Sequence, residues 1–227
     1  MNILGHEKTS FIDYPDKICT MYFMGGCNFR CGYCHNKDLV ENKGVPILES
    51  HIFEFLKKRK KYIDGVCISG GEPTLHEELY DFIVSIKKEG LLVKLDTNGT
   101  NPSMIKRLID ENLVDYIAMD MKAPINKYAV VTNVAVNVDN LKESIKLLTT
   151  SNVDYEFRTT VCRELVSTED ILEIAKELKG SKRYIIQNFR DRKTVLEGKN
   201  KFTSYNKEEL EYIRSEIEDY FNEVKIR

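Results

Sequence analysis

Six short apolar runs alternate with stretches of helical periodicity along nearly the whole chain, and few folds accept that alternation. Ile18 to Phe23, Val66 to Ser69, Leu91 to Leu95, Tyr116 to Met119, Tyr155 to Val161 and Tyr184 to Gln187 are rich in Val, Ile, Tyr and Phe and read as strands. Between them, Leu48 to Lys60, Glu77 to Lys88, Pro102 to Asn112, Val138 to Thr149 and Glu169 to Lys179 carry apolar residues at helical spacing. Strand followed by helix, repeated, predicts an α/β protein with a parallel sheet and crossover helices. Ser167 and Thr168 ahead of Glu169 and Asp170 give one helix a capping signal, and Gly90 and Gly180 stand where helices should stop. Six such units fall short of the eight that close a full barrel, so an open curved sheet and a partial barrel both fit.

In either architecture ligands bind beyond the carboxyl ends of the strands, and those ends are chemically unusual here. They read Gly25-Gly26-Cys27, Ser69-Gly70-Gly71-Glu72-Pro73-Thr74, Asp96-Thr97-Asn98-Gly99, Asp120-Met121-Lys122, Thr160-Val161-Cys162 and Gln187-Asn188-Phe189-Arg190. The chain has 227 residues and no linker-like stretch divides it, so one domain over 1–227 is expected. Leu210, Ile213, Ile217 and Phe221 recur at helical spacing, and 202–227 is read as a C-terminal helical extension with an amphipathic helix from about Lys207 to Phe221 covering an apolar flank.

Charge narrows the function further. Lys and Arg number 34 against 36 Asp and Glu, a formal balance of −2, and the one dense basic run, Lys57 to Lys61, is what a solvated helix end looks like. A broad electrostatic footprint for nucleic acid is missing. Met1 to Phe11 carries no signal-peptide pattern, and no apolar run approaches the roughly 18 residues of a membrane span, so a cytoplasmic protein without a membrane partner is expected. Six cysteines, three in one loop and Cys19, Cys67 and Cys162 scattered, do not form a secreted disulfide framework and suit a reducing compartment.

The loop is Gly-Gly-Cys-Asn-Phe-Arg-Cys-Gly-Tyr-Cys-His-Asn, with Cys27, Cys31 and Cys34 spaced C-x3-C-x2-C. Three thiolates so close together can hold three irons of a 4Fe–4S cluster and leave the fourth iron open to a second molecule. A structural zinc site on these cysteines and His35 fits less well, because zinc ligands usually come in two separated half-sites and Cys34 and His35 are adjacent. Cys19 and Cys67 fall within strands and read as small core residues, whereas the strand end at Cys162 leaves room for a place near the loop. His6, His51 and His76 carry no motif.

Each of the other strand ends taken alone is an ordinary turn; taken together with the cysteine loop they resemble the radical S-adenosylmethionine (SAM) superfamily. Cys27, Cys31 and Cys34, with Tyr33 before the last cysteine, resemble its signature loop, which implies a 4Fe–4S cluster whose open iron chelates SAM. Gly70-Gly71-Glu72-Pro73 resembles the Gly-Gly-Glu-Pro motif that meets the methionyl ammonium. His35 and Asn36 look like the Cys-His-Asn that lines the adenine. Asp96-Thr97-Asn98-Gly99 is similar to a stretch beside SAM that, in one branch, binds a monovalent cation through its aspartate. Asp120 and Lys122 match an Asp-x-Lys pair placed near the ribose and carboxylate. The same resemblance puts Gln187 among the SAM contacts, and Arg158 there suits either an acidic neighbour or the SAM carboxylate.

With Asp13-Tyr14-Pro15, Met119 to Pro124, Lys127-Tyr128, Arg158 to Val161 and Phe189, these motifs run in order from about Asp13 to Arg190. The order resembles the activating proteins of anaerobic ribonucleoside-triphosphate reductase, in the short branch related to pyruvate formate-lyase activating enzyme. The resemblance implies a partial (β/α)6 TIM-like barrel. It also implies reductive cleavage of SAM to a 5′-deoxyadenosyl radical, an electron donor of flavodoxin or ferredoxin type, and a glycyl radical enzyme as partner. Lys37 to Ile47 holds no further cysteine cluster, and Asn188 and the stretch from Arg190 to Lys201 depart from that family's usual ending. Two other readings stand beside it: a small-molecule radical SAM enzyme such as 7-carboxy-7-deazaguanine synthase, and a zinc-stabilised binding module.

Overall fold

The structure, a computed structural model, describes residues 1–227. Eight strands form one sheet in chain order: β1 (Ile3–Ser10), β2 (Cys19–Met24), β3 (Gly65–Gly70), β4 (Leu92–Thr97), β5 (Tyr116–Asp120), β6 (Asp154–Val161), β7 (Arg183–Asn188) and β8 (Glu223–Ile226). Only β1 and β2 are antiparallel; every later pair is parallel. The six expected strands are β2 to β7, and they make a partial TIM-like barrel.

The helices are α1 (Lys37–Val40), α2 (Glu49–Arg59), α3 (Leu79–Lys88), α4 (Pro102–Asp110), α5 (Tyr128–Thr132), α6 (Val138–Thr150), α7 (Thr168–Glu177) and α8 (Lys207–Ile217). Ser167 and Asp170 close a reciprocal capping box on α7, as their order in the sequence predicts, and Asn206 with Glu209 does the same on α8. Gly90 and Gly180 take left-handed backbone after α3 and α7.

Both sheet edges depart from expectation. β1 escapes notice because its middle, Gly5 to Thr9, is polar and half exposed, as an edge strand tolerates. The expected helical extension over 202–227 is helical only in part. Past Ile217 it becomes a 3-10 turn and then β8, which is parallel to β7. Four residues, Glu-Val-Lys-Ile, are too few to announce a strand. No helix is long and apolar enough to cross a membrane.

Alternation along the strands sorts the barrel into two environments. Tyr22, Ile68, Leu95, Ile117, Phe157 and Ile186 point outward and are fully buried in one large core with Leu56, Ile83, Leu108, Leu141, Ile174 and Ile213 of the helices. Each such side chain contributes roughly 1.5–3 kcal/mol of burial. Inside, Tyr14, Cys19, Met21, Cys67, Tyr116 and Ala118 form a small apolar cluster near the strand starts. The same inner face carries charge, with Lys94 level with Cys67 and Tyr116, Asp96 and Glu156 level with Ala118, and Asp120 and Arg158 nearer the strand ends. A barrel interior wide enough for ligand rather than for side chains alone thus opens towards the strand ends.

Candidate active site

β2 delivers the chain to Gly25 and Gly26, and β3 holds that turn in place. Gly71 N–H donates to Met24 O and Glu72 N–H to Gly26 O, both at 2.8 Å. A Cβ on Gly71 would stand 1.9 Å from Gly26 O, and one on Gly70 would stand 2.3 Å from Met24 N, so two glycines here are a steric necessity. Beyond that seam the chain wraps into the cysteine loop, where Cys34 N–H donates to Cys31 O at 3.0 Å and Arg30 Nη1 to Cys27 O at 2.6 Å.

All six cysteines are free, and Cys27, Cys31 and Cys34 line one cavity of about 520 Å³. Burial pushes the Cys27 and Cys31 thiols up to about 11. Thiols held in this way need a strong cation before they ionise, which is the condition a bound iron or zinc fulfils. Three thiols on one cavity, and no fourth cysteine among its lining residues, fit a 4Fe–4S cluster held by three thiolates. The Tyr33 hydroxyl, in the wall of the same cavity, is buried and has no partner in the chain.

Glu72 lines the cavity and also holds its frame together. Its side chain is fully buried, and Oε1 accepts from Thr74 N at 3.0 Å, Thr74 Oγ1 at 2.6 Å and Thr97 Oγ1 at 2.7 Å, while Oε2 accepts from Asn98 N at 2.6 Å. Burial pushes this carboxyl above its ordinary value despite those donors. The carboxylate therefore ties the end of β3 to the end of β4 beside the cavity. Asn98 continues the tie by donating from Nδ2 to Asn28 Oδ1 at 2.8 Å, next to Cys27. Pro73 is buried and starts the turn that follows.

Across β4, β5 and β6 runs a chain of alternating charge: Lys94, Asp96, Arg158, Asp120, Lys122. Arg158 bridges the two aspartates, with Nη1 at 3.2 Å from Asp96 Oδ2 and Nε donating to Asp120 Oδ1 at 2.8 Å. Lys122 Nζ donates to Asp120 Oδ2 at 2.9 Å. Of the two expectations for Arg158, pairing with acidic neighbours is the one seen. Burial alone would raise both carboxyls; Arg158, with Lys94 beside Asp96 and Lys122 beside Asp120, reverses this and holds each below the ordinary aspartate range. Lys122 in turn is held above the usual lysine value, because Asp120 outweighs burial.

The residues expected at the adenine end make contacts of their own within the chain. His35 Nε2 donates to Arg190 O at 2.5 Å and its ring stacks on Phe189, 5.3 Å between centroids and 9° apart. Asn36 is exposed at the start of α1 and Gln187 lies beside Thr160; all three line the cavity. The divergent stretch from Arg190 to Lys201 runs along the cysteine loop, with Leu196 N–H donating to Cys34 O at 2.8 Å and Glu197 N–H to Gly32 O at 3.1 Å. From the other side Arg30 N–H donates to Thr132 O at 2.8 Å and Asn133 Nδ2 to Arg30 O at 3.0 Å. Cys162 is buried in the main core and does not line the cavity. His6 stacks on Tyr22, His76 meets Gly25 O and His51 is exposed, so none joins the site.

Lys94 went unnoticed in the sequence, as did Ser69 and Thr160 as cavity residues. A signal for Lys94 was there: a lysine two residues before Asp96 in an apolar strand must share its face.

Comparison with known proteins gives the same architecture and motif order. A model of the radical SAM superfamily matches residues 21–178. A protein of Methanocaldococcus jannaschii described as a "putative glycyl-radical enzyme activating enzyme" is 36% identical over 233 residues, 99% of this chain and 95% of its own. The pyruvate formate-lyase 1-activating enzyme of Escherichia coli is 33% identical over 137 residues, 54% of either chain. Among solved structures, Streptococcus suis SuiB bound to its precursor peptide SuiA superposes with a TM-score of 0.70 at 15% identity, over 90% of this chain and 47% of SuiB. At that identity the match speaks for the fold, and this chain spans only about half of SuiB and of the Escherichia coli enzyme.

Proposed function

The chain belongs to the radical SAM superfamily and, within it, to the glycyl-radical-enzyme activating family, and from that membership we propose that it activates anaerobic ribonucleoside-triphosphate reductase. Cys27, Cys31 and Cys34 would hold the cluster, and the cavity they share with Gly70, Gly71, Thr97, Asn98, Asp120, Lys122, Arg158 and Gln187 would hold SAM. Held on those three thiolates, a 4Fe–4S cluster would supply the electron that splits SAM into methionine and a 5′-deoxyadenosyl radical, and that radical would take a Cα hydrogen from a glycine of the partner, leaving 5′-deoxyadenosine and a glycyl radical.

What the chain itself contributes is orientation and exclusion. Lys122 and Arg158 are the two cations of the cavity wall and suit an anionic group such as the SAM carboxylate, while Asp96 and Asp120 beside them, held ionised, suit hydroxyl and ammonium donors. Tyr33 offers an unused hydroxyl to the same ligand. Met21, Phe23 and Phe29 give the cavity an apolar wall that keeps water from a reactive carbon. An electron donor of flavodoxin or ferredoxin type and a reducing cytoplasm complete the reading, in keeping with six free cysteines.

One observation carries it: the thiol loop and four strand-end motifs meet around a single cavity at the carboxyl side of the sheet. The test is to incubate the reduced, iron-loaded protein with SAM and anaerobic ribonucleotide reductase. A doublet glycyl-radical resonance should appear, and deuterium at the glycine α-carbon should reach 5′-deoxyadenosine. Label arriving instead from a purine-like small molecule, with no radical on any glycyl radical enzyme tried, transfers the chain to the small-molecule branch.

A further inference from the structure

Asp96 matches the aspartate through which one branch of the family binds a monovalent cation, and here both of its oxygens already face a cation. Its Oδ1 accepts from the ammonium of Lys94, and its Oδ2 from Ser69 Oγ at 3.0 Å and from Arg158 Nη1 at 3.2 Å. The neighbouring carboxylate, Asp120, has a cation on each oxygen, Arg158 Nε at 2.8 Å and Lys122 Nζ at 2.9 Å. An alkali ion needs several oxygen ligands, and here it would have to share these oxygens with the fixed cations standing beside them. Three cations already face two anions in the row, an excess of one positive charge. The site therefore does not fit a further cation.

The residue responsible is Lys94. It is carried on the inner face of β4, two positions before Asp96, and is only 1% exposed. Its Nζ faces Asp96, lies 3.9 Å from Cys67 Sγ and stands 5.8 Å from the centre of the Tyr116 ring. An ammonium that deep persists only with a partner, and the one carboxylate it touches is Asp96. From Asp96 the order passes through Arg158 to Asp120 and Lys122, which line the cavity.

We propose that the Lys94 ammonium is the resident cation of this site, fixing Asp96 from within the chain so that SAM binds without potassium or sodium. Lys94 is a positioning residue, acting on the ligand through Asp96 and Arg158, and the inference rests on SAM being the ligand of the cavity.

Equilibrium dialysis of SAM against the iron-loaded protein tests this, in tetramethylammonium, sodium and potassium chloride at equal ionic strength. The wild-type dissociation constant should agree within about twofold across the three salts, and Lys94→Arg should behave alike. Lys94→Gln should bind SAM at least fivefold more weakly in tetramethylammonium, with potassium or sodium restoring most of the loss. Tenfold tighter wild-type binding in potassium than in tetramethylammonium overturns the inference, and so does a loss in Lys94→Gln that no alkali cation recovers. If Lys94→Gln fails to fold, the wild-type and Lys94→Arg salt series still decides. Failure to bind SAM in any salt would refute the proposed function instead.

Discussion

Replacing Glu72 by Gln separates a carboxylate that binds ligand from one that builds the site. The glutamine oxygen can keep the three donors now on Oε1, from Thr74 N, Thr74 Oγ1 and Thr97 Oγ1, only by turning its amide nitrogen towards the N–H of Asn98. One buried backbone N–H then loses its acceptor, at a cost of about 1–3 kcal/mol. The three bonds that remain fall from charge-assisted to neutral, roughly halving their strength. Relief from burying a charge, the same burial that lifts the Glu72 carboxyl, offsets part of this. A net loss of about 2–4 kcal/mol results. With a urea dependence of roughly 2 kcal/mol per molar, the unfolding midpoint of the iron-free chain should drop by about 1–2 M, read by circular dichroism. A midpoint unchanged in Glu72→Gln, with SAM affinity reduced, would show that Glu72 serves the ligand and not the scaffold.

Anaerobic reconstitution should load about four irons per chain, and Ala at Cys27, Cys31 or Cys34 should abolish loading while Ala at Cys19, Cys67 or Cys162 leaves it intact, as read by iron analysis and electron paramagnetic resonance. Asp96 and Asp120 are held below their ordinary value of 3.8, so the stability they confer is full above about pH 4 and disappears as pH falls through their depressed values. Arg158→Met should therefore cost roughly 3–5 kcal/mol at pH 7, and its gap from wild type should narrow below pH 4; urea midpoints taken from pH 7 to pH 3 check both. A gap that stays constant in acid would mean that the arginine stabilises by packing alone.

Strand and helix order was legible because each inner strand is buried on its outer side by helices and therefore reads as an apolar run, Ile117 and Ile68 being typical. β1 and β8 were not, since an edge strand needs no such run. At the site, residues that sit at strand ends could be read by position, but what they bond to could not. Two of the four bonds of Glu72 are local, from Thr74, but the other two come from Thr97 and Asn98, 25 and 26 residues away, and nothing in Gly-Gly-Glu-Pro announces those. Lys94 differs: its sharing a face with Asp96 follows from their spacing, but its burial against Cys67 and Tyr116 comes from the neighbouring strands.

The cysteine loop is clamped by Thr132 and Asn133 on one side and by Leu196 and Glu197 on the other, residues separated from it by a hundred positions or more of chain. Local sequence thus provides the thiols but not their arrangement, and the entropy of closing both long loops must be met before the arrangement exists. During synthesis the cysteines leave the ribosome early, yet the frame that spaces them is finished only when the chain past Glu197 has folded back. Metal loading is in this sense a proofreading step: a chain that has failed to complete its last third offers iron three loose thiols instead of a socket.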